Sequence, residues 1–269
     1  MTDDGSVGGE RKMDTVDATV DLMGMPLATL RGEDVVERVF TELAGGRGGW
    51  LVTVNLDILR RYHRDPTARA LYAEADLRVA DGMPLVWASR VQRTDGVPER
   101  VAGATLAATL AERAAVEGRS LYLLGGAPGA ATGAAATLRA RHPTLRIAGA
   151  SSPRIGSPPT SVQVRALASE LCATPPDLLL VGLGSPKQEH LIRALRPLLP
   201  ATWMIGVGVT FSFLSGQVRR APGWAQRAGL EWAHRMAQEP RRLARRYLVD
   251  DIPFAAVLFS NALARRLRG

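Results

Sequence analysis

The chain is poor in the residues that several protein classes depend on. Cys172 is the one cysteine among 269 residues, so a disulfide framework and a thiolate metal cluster are both excluded. A lone free cysteine is expected to fill a small core position. His63, His142, His190 and His234 show no metal-ligand spacing. No run approaches the roughly 18 consecutive apolar residues of a membrane-spanning helix. The best candidate, residues 253–264 (PFAAVLFSNALA), is too short, so membrane work is expected from the surface. Arg11 and Lys12 are followed by Met13, Asp14, Thr15, Val16 and Asp17 rather than by the apolar run of a secretion signal, which predicts a cytoplasmic protein.

What is present suits one large domain, or a core with an appendage: 46% of residues are hydrophobic and 22% charged. The formal net charge of +8 is unevenly placed. From Gly216 to Gly269 eleven arginines face four acidic residues, a net +7, which leaves +1 for residues 1–215. A nearly neutral body therefore carries a basic end. Residues 1–20, rich in Asp and Gly and without periodicity, are predicted to be disordered, 21–215 to form the body, and 216–269 a helical basic appendage.

Through the body, short apolar runs bounded by glycine or proline recur: WLVTV from Trp50, LYLL from Leu121, LRIAGA from Leu145, DLLLVGL from Asp177 and WMIGVGV from Trp203. They lack period-2 alternation, as strands buried on both faces do. Amphipathic helical stretches lie between them over 105–117, 130–141, 161–172 and 187–195, and Asp65 followed by Pro66 marks another helix start, with that helix running through Ala75. The alternation predicts a Rossmann-like α/β fold, a parallel sheet with helices on both faces plus the basic appendage. In such sheets ligands bind beyond the carboxyl ends of the strands.

The strand exits carry the candidate chemistry. Thr53 and Asn55, two apart, can point two hydrogen-bonding groups into one crevice or satisfy their own turn. In ADGMPLVW (80–87), Asp81 can cap the following helix or, desolvated by Met83 and Trp87, act as a general base. Gly125 and Gly126 precede a helix, where backbone amides can approach a phosphate. The ribose-binding acid of a nicotinamide enzyme is missing after LRIAGASS, and so is a P-loop. GLGSPKQEH (182–190) places Gly184, Lys187, Gln188 and Glu189 at a helix start, and Lys187 is one of two lysines against 32 arginines. GVGVTFSFLSG (206–216) adds Gly206, Gly208 and Ser212 at a second glycine-rich exit. The pair Asp250–Asp251, with no buried strand before it, reads as helix capping or charge balancing. In the appendage, Trp224, Leu230, Trp232 and Met236 can share an apolar side flanked by arginines, as in an interfacial helix.

Taken together, TVNLDIL, ADGMPLVWASR, VPERVAG, LYLLGGAPG, GLGSPKQE, GVGVTFSFLSG and RAPGWAQRAGLEWAHRMAQEPRRLARRYL resemble the WecG/TagA/CpsF family of bacterial glycosyltransferases over residues 24–248. The resemblance implies an inverting transferase that moves an N-acetylmannosamine-like hexose or uronic acid from a UDP donor to a polyprenyl-diphosphate-linked saccharide. It implies cell-surface polysaccharide synthesis at the inner face of the plasma membrane, without a cofactor or metal. It assigns the general base to Asp81, donor and acceptor contacts to Thr53, Asn55, Arg100 and the Lys187–Gln188–Glu189 loop, and departs at Ser212, where many relatives carry aspartate; serine lacks that charged acceptor. Arg219, Arg220, Arg235, Arg241, Arg242, Arg245 and Arg246 are then expected to meet anionic lipid or the donor diphosphate. A homo-oligomer is left open. The competing classes are a nucleic-acid-binding module, for which the tail offers few aromatics, and a Rossmann-type NAD- or SAM-dependent enzyme.

Overall fold

The computed structural model describes residues 18–92 and 96–268, with the side chains of all but Arg227 and Arg242. Of the segment 1–20, residues 1–17 lie outside the described residues, and Thr19 already begins the first strand. That strand, β1 (Thr19–Leu22), pairs antiparallel with β2 (Met25–Ala28) in a hairpin that the apolar pattern did not predict. After helix α1 (Gly32–Ala44) come β3 (Gly49–Val54), α2 (Leu56–Arg64), α3 (Pro66–Ala73), β4 (Leu77–Ala80), α4 (Met83–Val91) and α5 (Gly103–Glu117). Then follow β5 (Ser120–Gly125), α6 (Ala130–Arg141), β6 (Arg146–Ser151), α7 (Ser161–Ala173), β7 (Leu178–Gly182), α8 (Lys187–Leu195) and β8 (Trp203–Gly206).

Strands β3 to β8 form one six-stranded parallel sheet in the order β4-β3-β8-β7-β5-β6, with helices on both faces: a Rossmann-like α/β fold, as predicted. Burial on both faces explains the missing alternation, because successive residues enter different cores. Trp50, Val52, Tyr122, Leu124, Leu179 and Val181 pack with α2, α3, α4, α7 and α8. Leu51, Leu121, Leu123, Leu178 and Leu180 pack on the opposite side with α1, α5 and α6. The edge strand β6 departs from the expected double burial and is half-exposed.

Local signals explain the helix starts. Asp65 accepts the Thr67 amide at 2.8 Å with Pro66 at the first turn of α3, and Thr160 and Gln163 form a capping box on α7. Cys172 is not a core residue. The buried face of α7 is Leu167 and Leu171, and one further residue rotates about 100° away from it, which leaves Cys172 exposed.

The basic end is folded onto the body. After α9 (Thr210–Leu214), the last helix of the body, it comprises α10 (Gly223–Arg227), α11 (Glu231–Gln238), α12 (Pro240–Ala244) and a π-helical stretch, Arg245–Asp251, which runs into α13 (Ile252–Arg268). Phe254, Leu258 and Ala262 of α13 are fully buried in the core beside the β1–β2 hairpin. The continuous helix Arg245–Arg268 is by length and composition long and apolar enough to cross a membrane, although its 253–264 window fell short in the sequence. Its other side leaves Val249, Ile252, Val257, Leu263 and Leu267 exposed. Asp250 and Asp251 balance arginines, with Asp251 3.4 Å from Arg246 and 3.8 Å from Arg60. The four apolar residues expected to share one interfacial side do not: Trp224 and Leu230 are exposed, whereas Trp232 packs edge-on against Tyr247 with ring centroids 5.8 Å apart.

Candidate active site

The chain leaves β3 toward β4 on one side of the sheet and β5 toward β6 on the other. The loops therefore splay apart over the central strands, and a crevice opens at their carboxyl ends. There a cavity of about 1210 Å³ is lined by every strand exit and roofed by the appendage. A typical small-molecule site holds roughly 300–1,000 Å³, so this one lies just above the usual range.

Asp81 lies half-buried on its floor. It does not cap α4, whose N-cap is Gly82 without a side-chain bond. Instead its Oδ2 accepts the amide of Gly103, the first residue of α5, at 3.1 Å. A Cβ on Gly103 would stand 3.1 Å from Thr53 Oγ1 and 3.8 Å from Asp81 Oδ2, so glycine lets this helix start approach both. Burial raises the Asp81 pKa above the ordinary aspartate value; the Gly103 amide and Arg100 oppose that rise, Glu231 adds to it, and Arg220 opposes it.

Thr53 is buried and reaches the Gly206 carbonyl at 3.4 Å, a long bond that leaves its hydroxyl available to a ligand. Asn55 caps α2: its Oδ1 accepts the Ile58 amide at 3.1 Å, and its Nδ2 remains as a donor on the cavity wall. The turn-satisfying reading of Asn55 therefore holds, at a position that lines the cavity.

Gln188 ties two strand exits together. Its Oε1 accepts the amides of Gly184 at 3.2 Å and Gly208 at 3.1 Å, while its Nε2 donates to Glu189 Oε1 at 2.9 Å. A Cβ on Gly206 would sit 2.5 Å from Gln188 Nε2, so the glycine makes room for that amide. Glu189 is 1% exposed, does not line the cavity, and has its pKa raised chiefly by burial. It meets the site through two lining residues, Gln188 and Ser185. Gly125 also stays off the lining, and the Gly126 amide donates to the Gly182 carbonyl at 2.8 Å, so that amide is not free for a phosphate. Ser212 is buried on α9 at the cavity wall.

The tail arginines divide into two sets. Arg220, Arg235 and Arg246 line the cavity, whereas Arg219, Arg241 and Arg245 are exposed away from it, and the side chain of Arg242 lies outside the described residues. Arg100 joins the first set, 3.0 Å from Glu231 of α11. Lys187 opens α8 at the rim.

Arg154 and Glu231 are among the lining groups with no signal read from the sequence. Arg154, exposed just beyond β6, follows the small residues that made that exit look empty and lies two residues past Ser152, where LRIAGASS ends. Glu231 carried no local signal, because its partners lie 131 and 11 residues away in the chain. The family model described as Glycosyl transferase WecG/TagA/CpsF family matches residues 20–268.

Proposed function

Since the chain belongs to this family of glycosyltransferases, which act in cell-surface polysaccharide synthesis, we propose that it moves an N-acetylmannosamine-like hexose or uronic acid from a UDP donor to a polyprenyl-diphosphate-linked saccharide, with inversion and without a metal. The observation that carries this reading is the carboxylate of Asp81, held by a helix-start amide beside Thr53 in a cavity whose wall carries Arg100, Arg154, Lys187 and Arg220.

The reaction needs three things from these side chains. The acceptor hydroxyl gives its proton to an Asp81 oxygen as its own oxygen attacks the anomeric carbon, opposite the departing phosphate. Burial suits Asp81 to the role, since a carboxylate whose pKa is raised takes a proton more readily. The bond from the anomeric carbon to the diphosphate breaks, and the growing negative charge on UDP falls among Arg100, Arg220, Arg154 and Lys187. Fixed guanidinium forks match phosphate oxygens in pairs and do here what a divalent cation does in other transferases. Thr53 and Asn55 Nδ2 orient the sugar hydroxyls over Asp81.

The exposed arginines have a separate role. Arg219, Arg241 and Arg245, with the apolar outer side of Arg245–Arg268, suit a peripheral position on anionic lipid at the inner face of the plasma membrane. At about 1 kcal/mol per basic residue, three such arginines give a measurable attraction. Replacing Arg241 and Arg245 with glutamate should then release the protein from anionic vesicles while leaving donor binding unchanged. Deleting residues 216–269 would be a poor test, because it would also remove Phe254, Leu258 and Ala262 from the core.

The deciding experiment is a panel of UDP-sugars incubated with a prenyl-diphosphate-linked monosaccharide, with and without chelator. Transfer with one donor that survives chelation is the expected result. Transfer only with added metal would refute the cation-wall account, and no transfer from any UDP-sugar would refute the donor class.

A further inference from the structure

We propose that Glu231 is an internal anion that holds Arg100 and Arg220 while the cavity is empty, and that the donor diphosphate displaces it, releasing α11 from the body. The inference rests on the nucleotide-sugar reading above.

Three observations carry it. First, the Glu231 carboxylate bridges the two arginines. Its Oε2 accepts from Arg100 at 3.0 Å, and its Oε1 lies 3.6 Å from Arg220 Nε, with all three side chains about one-quarter exposed or less. Carboxylates and phosphates compete for the same guanidinium forks. A diphosphate beside an undisplaced Glu231 would place like charges against each other, an arrangement that costs several kcal/mol across an interface. The arginines therefore hold one anion or the other.

Second, the fit of the internal anion is incomplete. Arg220 donates one bond, to Thr105 Oγ1 at 3.0 Å, and its Nε is buried with no hydrogen-bond partner. A carboxylate presents two oxygens on one carbon, and the bond to Arg100 leaves the second too far from Arg220 for a hydrogen bond. A diphosphate spreads its oxygens over a longer span and can satisfy both arginines at once.

Third, α11 is lightly attached. None of its residues is fully buried; beyond its packing on α10 and α12, its side-chain ties among the described residues are the Glu231 pairs, the edge contact of Trp232 on Tyr247, and the bond from Gln238 Nε2 to the Arg219 carbonyl at 3.0 Å. Exchanging the carboxylate for a phosphate removes its ion pairs to Arg100 and Arg220. Arg235, one turn along α11, lines the cavity and moves with the helix.

The test uses the full chain and UDP as the probe. Titration calorimetry should show Glu231→Gln binding UDP roughly tenfold tighter than the parent, because the amide still fits beside Arg100 but no longer competes as an anion. Hydrogen exchange on the parent chain should show faster exchange over residues 231–238 when UDP is added. That second measurement decides the matter if the Glu231→Gln variant fails to fold. Equal or weaker UDP binding by a folded Glu231→Gln, or unchanged or slowed exchange in α11, overturns the displacement of Glu231. Absence of UDP binding by the parent chain overturns the donor reading itself, and so separates the two failures.

Discussion

Replacing Asp81 with asparagine should separate catalysis from stability. The asparagine Oδ1 can still accept the Gly103 amide that Asp81 Oδ2 accepts at 3.1 Å, so the start of α5 keeps its bond. What disappears is the proton acceptor. Loss of a positioned general base lowers turnover by roughly 10²–10⁴, or about 3–5 kcal/mol of barrier. Stability should move the other way. Burial raises the Asp81 pKa above its unfolded value, so the folded state favours the protonated acid. Its contribution to stability is therefore greatest at low pH and declines as pH rises through the window between the unfolded and the higher folded value. At neutral pH the ionised group is a cost that the neutral amide removes. The assay pairs turnover under saturating donor with a melting curve at pH 7 and at pH 4. The expected result is a loss of turnover of at least a hundredfold, a near-normal donor KM, and a melting temperature equal to or above the parent's at pH 7. Normal turnover would refute the general-base role. A fall in melting temperature that parallels the fall in activity would instead mark Asp81 as a structural ligand of α5.

Other consequences can be checked separately. Gln188→Ala leaves the Gly184 and Gly208 amides without their acceptor, at about 2–4 kcal/mol for two half-buried donors, and should lower the melting temperature by roughly 5–15 °C while raising donor KM. Burial, reinforced by Asp57 and opposed by Arg246 and Arg60, lifts Asp251 to about 6, so its contribution to stability declines as pH rises from about 4 to about 6. Asp251→Asn should therefore melt higher than the parent at pH 7.5, by at most about 3 kcal/mol, and lose that advantage near pH 4; a lower melting temperature at pH 7.5 would show that its ion pairs outweigh its burial. Phe254→Ala empties a fully buried site between α13 and the core and should cost about 3–5 kcal/mol in denaturant unfolding, with activity falling as the roof loosens.

The sequence by itself determined the architecture, because strand and helix starts here rest on local chemistry. Asp65 and Pro66 start α3 where expected, and the runs over 130–141 and 187–195 are the helices α6 and α8. Unalternating apolar runs mark strands covered on both faces, and the rule that such sheets bind ligands beyond their carboxyl ends brought Thr53, Asn55, Asp81, Gln188 and Ser212 to one cavity wall. The concentration of charge in 216–269 was legible by counting alone.

Only the tertiary structure decided how those residues are used, because the deciding partners are distant in the chain. Asp81 meets a helix start 22 residues on rather than the helix that follows it, and Glu189 supports Gln188 from beneath the wall. Cys172 faces outward because one residue of helical rotation separates it from Leu171. The eleven tail arginines look alike in sequence, yet packing turns Arg220, Arg235 and Arg246 into the cavity and leaves Arg219, Arg241 and Arg245 outside. Composition sets the amount of charge; the burial of Phe254, Leu258 and Ala262, which seats the appendage on the body, sets where that charge can act.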